Sequence, residues 1–219
     1  MTVVLYDIDG TLLNTRGAGR EALNRAFLAL HGVAEAFGRV NFGGATDQSI
    51  VSQAYAHAGL VGDPDERQAL KRRYLAELQA GLAADPERVR WCPGVERTVA
   101  ETARRATNAL LTGNWEAGAK LKLGPFFERF AFGAYGDDSP DRNALVPVAR
   151  ARALAAGVAV ERVVVIGDTP ADVACARAGG AVAVAVCTGW SDRATLEATR
   201  PDLVLDDLEA GLDALLAVL

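Results

Sequence analysis

The 219-residue chain is half hydrophobic and carries a formal net charge of −5 with no basic block, so it can bury a sizeable core and offers nothing to nucleic acid or an anionic membrane surface. Its three cysteines, Cys92, Cys175 and Cys187, form no C-x-x-C pair and lie far from His31 and His57, which excludes a disulfide framework or a zinc site and fits a reducing compartment. No apolar run approaches the ~20 residues of a membrane span, and the opening apolar run is too short for a signal peptide, so the expectation is a soluble cytoplasmic protein.

The first strand is predicted at residues 3–7, ending in Asp7-Ile8-Asp9-Gly10-Thr11. From 15 to 84 no convincing strand follows, only helical pattern over 19–31, 46–58 and 65–82, with Gly43-Gly44 marking a loop. Asp85-Pro86 and Cys92-Pro93-Gly94 mark a return, after which strands and helices alternate. Strands are expected at 109–112, about 130–135, 163–167, 181–187 and 203–205, and helices at 94–105, 115–123, 142–156, 170–178 and 206–219. Alternation of this kind argues for a parallel sheet with helices on both faces, and the unbroken Val163-Val164-Val165-Ile166 suits a strand buried on both sides. The expected fold is α/β: a Rossmann-like parallel-sheet core formed by 1–14 and 85–219, with an α-helical cap inserted at 15–84.

Ligand sites of open α/β sheets gather beyond the carboxyl ends of the strands. Those ends carry Asp7 and Asp9, then Thr112-Gly113-Asn114, then Gly167-Asp168-Thr169-Pro170-Ala171-Asp172. Any one of these could be only a turn or a helix cap; all three, each after a strand, converge four aspartates and a hydroxyl on one edge. Like charges that close raise one another's pKa, and a hard divalent cation with oxygen ligands relieves them. Mg²⁺ is the usual choice where a phosphate completes the shell.

Asp7-Ile8-Asp9-Gly10-Thr11-Leu12-Leu13, Leu111-Thr112-Gly113-Asn114 and Gly167-Asp168 through Asp172 resemble the motifs of the haloacid dehalogenase-like (HAD) hydrolase superfamily, and the helical insertion resembles the cap of its phosphoglycolate phosphatase and β-phosphoglucomutase group. The resemblance implies that Asp7 is a nucleophile forming an aspartyl-phosphate and Asp9 a general acid and base. It implies that Asp7, Asp9 through its backbone carbonyl, Asp168 and the nearby Asp172 serve a Mg²⁺ site. Thr112, Gly113 and Asn114 would bind the transferring phosphoryl oxygens. The family's usual lysine is missing, because Gly136-Asp137-Asp138-Ser139-Pro140-Asp141-Arg142-Asn143 occupies its segment. Arg142 is the preferred substitute, with Lys122 and Lys120 as alternatives.

Gly43-Gly44-Ala45-Thr46-Asp47 resembles a substrate-facing cap loop and makes Thr46 a candidate contact, although Thr46 or Asp47 also reads as a helix N-cap. Arg16 and Arg20, where the chain leaves the first motif, could meet an anionic substrate. Trp115 could line the pocket or simply pack. The expectation is a Mg²⁺-dependent phosphatase acting on a small phosphorylated metabolite, with phosphoglycolate leading. The alternatives are a phosphomutase of the β-phosphoglucomutase type or a catalytically silent metabolite-binding member. A dehalogenase is disfavoured because such relatives lack the second aspartate.

Overall fold

Thr2–Tyr6 forms β1, an almost wholly buried apolar run, in a computed structural model that describes residues 1–219. Leu13–Asn14 (β2) then pairs antiparallel with Arg90–Trp91 (β3), a two-stranded clasp at the entry to and exit from a helical segment. That segment holds Ala18–His31 (α1), Asp47–His57 (α2) and Pro64–Ala84 (α3). The start of α3 is fixed by a reciprocal cap between Asp63 and Glu66 with Pro64 in the first turn. The chain continues through Val95–Thr102 (α4), Thr107–Leu111 (β4), Glu116–Leu123 (α5), Gly133–Ala134 (β5), Leu145–Ala155 (α6), Arg162–Gly167 (β6), Pro170–Ala178 (α7), Val182–Val186 (β7), Arg193–Ala198 (α8), Leu203–Leu205 (β8) and Leu212–Ala217 (α9).

Six strands form one parallel sheet in the order β5-β4-β1-β6-β7-β8. The chain winds outward from β1 through β4 to β5, then crosses to the other side of β1 for β6, β7 and β8. The crevice where the winding reverses is where such sheets bind ligands. Tyr6 is level with both Leu110 and Ile166, so the tips of the three central strands open at one height. Alternate strand residues feed two cores. Val4, Tyr6, Leu110, Val164 and Ile166 pack on one face, and Val3, Leu5, Ala109, Leu111 and Val165 on the other. A third core lies within the helical segment, where Phe27 meets Phe37 and Tyr55 edge-on at 5.6 and 5.1 Å and packs with Leu70 and Leu78.

Several expected elements change. The helix read over 206–219 shortens to Leu212–Ala217, because the Asp207 carboxylate accepts from the Glu209 and Ala210 amides and closes a turn instead. The strand at about 130–135 shrinks to Gly133–Ala134, and the helix at 142–156 begins as a 3₁₀ turn at Arg142–Ala144. The β2–β3 clasp and α8 were not anticipated.

The helical segment touches the sheet edge backbone to backbone. The Asp47 amide donates to the Gly113 carbonyl at 2.8 Å, and a Cβ on Gly113 would stand 2.1 Å from the Ala45 carbonyl oxygen. Only glycine admits that approach. Gly113→Ala should therefore push the loop before α2 off the sheet and cost about 1–3 kcal/mol. Hydrogen exchange should speed at the Asp47 amide while β1 amides stay protected. Unchanged exchange at Asp47 would show that the close approach is not what holds the loop.

Candidate active site

Asp7 extends β1, its amide donating to the Ile166 carbonyl at 2.9 Å. Asp168 follows β6, and Asp172 sits in the first turn of α7. There a reciprocal cap joins Thr169 and Asp172, and Pro170 presets the helix. The three carboxylates are buried, with one oxygen of each within 4.8 Å of the other two. Gly10 makes this possible, since it has φ +89° and a Cβ there would lie 2.4 Å from Asp168 Oδ2.

Asp168 receives the Trp190 amide at 2.7 Å and the Thr11 hydroxyl at 3.3 Å. Asp172 accepts from the Thr169 amide and hydroxyl through Oδ2 and from Arg142 through Oδ1. Arg142 also stands 3.1 Å from Asp7 Oδ1. This guanidinium is buried, its Nε finds no partner, and the flanking carboxylates hold its pKa up against desolvation. Burial, aided by the charges of Asp172 and Asp7, raises Asp168 to about 8. Burial likewise raises Asp7 to about 6 despite Arg142. Three carboxylates against one guanidinium leave a surplus of negative charge, and a compact set of oxygen donors with that surplus suits a hard divalent cation.

A second cluster stands beside the first. Asn114 Nδ2 donates to Asp9 Oδ2 at 2.7 Å and to Thr112 Oγ1 at 2.8 Å. Lys122, buried on α5, donates to the same Asp9 oxygen and to Asn114 Oδ1, both at 2.6 Å. Asp9 Oδ1 has no protein partner. Asp7, Asp9, Thr112, Gly113, Asn114, Lys122 and Arg142 all line one cavity of about 100 Å³. Its far wall comes from the helical segment, with Gly19, Arg20, Gly44, Asp47 and Tyr74 among its residues.

Two sequence expectations change here. Thr46 is not on the cavity wall. It is buried, caps α2 by accepting the Ser49 amide, and donates to the Pro140 carbonyl, so its hydroxyl is committed. Its neighbours Gly44, Ala45 and Asp47 face the cavity instead. Arg142 does lie in the site, but it bridges Asp7 and Asp172, while Lys122 serves Asp9 and Asn114. The lone basic residue expected from the sequence is thus a pair with divided contacts. Lys120 is paired with Glu116 on the surface. Trp115 packs edge-on against Tyr74 at 5.4 Å, and His31 bonds the Tyr55 hydroxyl at 2.8 Å, away from the cavity.

Sequence reasoning missed the loop after β7, where Thr188 donates to the Gly10 carbonyl and the Trp190 amide meets Asp168. Its signal was available: the strand-end rule, applied to β7 as it was to β1, β4 and β6, points to Thr188-Gly189-Trp190. Asp47, expected within a substrate-facing loop or as a helix N-cap, is the first residue of α2. It is buried, accepts the Trp115 amide at 2.8 Å, and is raised by burial to about 6.

The raised pKa values of Asp7 and Asp168 mean that the folded chain holds protons the unfolded chain releases. Their contribution to stability is therefore present at low pH and lost as pH rises from about 4 through 6 and 8. In EDTA the melting temperature should fall between pH 5 and pH 8, and Asp168→Asn should flatten that fall. Added Mg²⁺ should restore more stability at pH 8 than at pH 5. An Asp168→Asn slope equal to wild type would show that the crowded carboxylates do not cause it.

Comparison with known proteins gives a consistent picture. The HAD-hydrolase-like family model matches residues 141–211. A phosphoglycolate phosphatase of Pseudomonas putida is 29% identical over 216 residues, covering 95% of this chain and 77% of that protein. One from Mesorhizobium japonicum is 28% identical, covering 95% and 92%. Among solved structures, CbbY of Rhodobacter sphaeroides in complex with phosphate superposes with a TM-score of 0.70 at 24% identity, covering 96% of this chain and 98% of that one. At that identity the likeness concerns the fold.

Proposed function

We propose that this chain, which resembles the haloacid dehalogenase-like hydrolases, is a Mg²⁺-dependent phosphatase hydrolysing a small organic phosphomonoester through an aspartyl-phosphate on Asp7. The observation that carries this reading is the pairing, on one cavity, of the buried Asp7–Asp168–Asp172 cluster with an Asp9 carboxylate held by Asn114 and Lys122. Phosphoglycolate is the first ester to consider, since the Pseudomonas and Mesorhizobium relatives carry its name.

In this reading Asp7, Asp168 and the backbone carbonyl of Asp9 hold Mg²⁺, with Asp172 beside them, and the bound ion supplies positive charge against the incoming phosphoryl oxygens. A carboxylate oxygen of Asp7 attacks phosphorus, and the bond to the leaving oxygen breaks. Asp9 donates a proton to that oxygen through Oδ1, the atom left free when Asn114 and Lys122 take Oδ2. The resulting Asp9 carboxylate then takes a proton from the water that attacks the aspartyl-phosphate, releasing inorganic phosphate. The Thr112 hydroxyl, the Gly113 and Asn114 amides and the Lys122 ammonium receive the transferring oxygens. Arg142 acts behind Asp7, fixing its carboxylate against Asp172. The helical unit at 15–84 closes the cavity from the core at 1–14 and 85–219, excluding bulk water from the phosphoryl-enzyme.

Phosphate release from a panel of small phosphomonoesters tests the proposal. Turnover should require Mg²⁺, stop in EDTA and vanish in Asp7→Asn. Lys122→Met should lower kcat by about 10²–10³-fold. Turnover surviving in Asp7→Asn would remove the nucleophile from this assignment, and a near-normal Lys122→Met would return the basic role to Arg142.

A further inference from the structure

Of the three cations that line the cavity, two are spoken for: Lys122 by Asp9, and Arg142 by Asp7 and Asp172. Arg20 has no carboxylate partner. Its Nη1 donates to the Phe37 and Gly38 carbonyls and its Nη2 to Val40, at 3.0–3.4 Å. The guanidinium lies over the Phe42 ring, 4.2 Å from its centroid. Neutral carbonyls and a ring thus orient a full positive charge without cancelling it, and of the five guanidinium N–H groups two remain unassigned. Asp47, the acidic residue on this wall, gives its Oδ2 to the Trp115 amide and has Lys122 as its neighbouring positive charge.

Arg20 belongs to the first turn of α1, and that turn is uncapped. Gly17 occupies the cap position in the left-handed region, with no side-chain cap. The Ala18 amide donates back to the Thr15 carbonyl, but the Gly19 and Arg20 amides find no acceptor in the protein. Gly17, Gly19 and Arg20 all line the cavity, so unsatisfied amides and the positive end of the helix dipole meet the cationic side chain there. A separate observation falls on the same spot. Tyr74 is 1% exposed, its hydroxyl has no hydrogen-bond partner, and it lines this cavity 3.9 Å from where a Cβ on Gly19 would be.

We infer that the first turn of α1, Arg20 and the Tyr74 hydroxyl form an anion-binding site in the cap that receives a carboxylate on the leaving alcohol of the substrate. The inference rests on the phosphatase reading and narrows it. The core end of the cavity takes the phosphoryl group, and the cap end takes a second negative charge on a leaving group small enough for about 100 Å³. An uncharged alcohol, whether a glycol or a sugar, would leave the partly buried Arg20, two amides and the buried Tyr74 hydroxyl without a partner on the substrate.

The test compares phosphoglycolate with 2-hydroxyethyl phosphate, which carries a hydroxymethyl group in place of the carboxylate. Turnover of p-nitrophenyl phosphate reports the phosphoryl chemistry alone. Wild type should favour phosphoglycolate over the hydroxyethyl ester by at least about tenfold in kcat/KM. Arg20→Met should collapse that ratio chiefly through KM, and Tyr74→Phe, which keeps the ring, should reduce it. Glycolate should inhibit p-nitrophenyl phosphate turnover by the wild type where ethylene glycol does not, a readout that needs no variant to fold. Equal losses on both esters in Arg20→Met would overturn the inference and make Arg20 a brace for the 37–40 loop. So would a wild type that turns over p-nitrophenyl phosphate without preferring the carboxylate. A wild type inactive on all three esters would overturn the phosphatase reading itself.

Discussion

The structure turns on a charge problem. Asp7, Asp168 and Asp172 stand within one small circle at the buried carboxyl edge of the sheet, where three ionised carboxylates cannot be held without compensation. Arg142 supplies one positive charge from the turn before α6 and touches two of the three. Its own desolvation is tolerable because it is flanked so closely. Neutral donors stabilise the carboxylates further without cancelling their surplus charge, with the Trp190 amide and Thr11 hydroxyl on Asp168 and the Thr169 amide and hydroxyl on Asp172. These donors come from three loops, after β1, β6 and β7, so stabilising the carboxylates and assembling the carboxyl edge are one event.

That arrangement separates two basic residues that would be equivalent on charge alone. Arg142 is planar and permanently charged, and it bridges two buried acids, Asp7 and Asp172. Lys122, a point charge on a flexible stem, reaches Asp9 and Asn114 from the opposite side. A residue that bridges two buried carboxylates benefits from rigidity. Lys122, by contrast, divides its ammonium between a carboxylate and an amide oxygen, which suits a donor on a flexible stem. Asn114 ties the two clusters to β4, since its amide meets both Asp9 and Thr112.

Much of this was legible in the sequence, and for physical reasons. Near-continuous apolar strands and their polar tips are strong local signals, and the strand-end rule turned three short motifs into one site. The helices of the inserted segment were legible because their apolar spacing is regular. Elements with weak local signals fared worse. Gly133–Ala134 is a strand only because β4 pairs with it, and the helix expected at the end of the chain loses its first turns to an aspartate that bonds its own backbone. Choosing between Arg142 and Lys122 needed three dimensions, because spacing cannot say which of two cations faces which of two acids. Thr46 misled for a related reason: a threonine before a helix can cap it or face a ligand, and the Pro140 carbonyl on a distant loop settles its use here.

The connectivity gives the cap a constraint of its own. The helical segment enters directly after the first motif, and the β2–β3 clasp pins its entry and exit together beside the active-site edge. The start of α1 therefore cannot drift far from Asp7 and Asp9, whatever the rest of the cap does. The outer helices, held by their own apolar core, can vary their packing without moving that turn. Placing a helix N-terminus there puts partial positive charge opposite a carboxylate-rich edge, favourable to the edge itself and to any anion bound between them. The same short tether fixes which groups of the cap face the carboxylate edge. Residues of the first turn of α1 are thus held on the cavity wall facing Asp7 and Asp9, whatever the surface of the outer helices does.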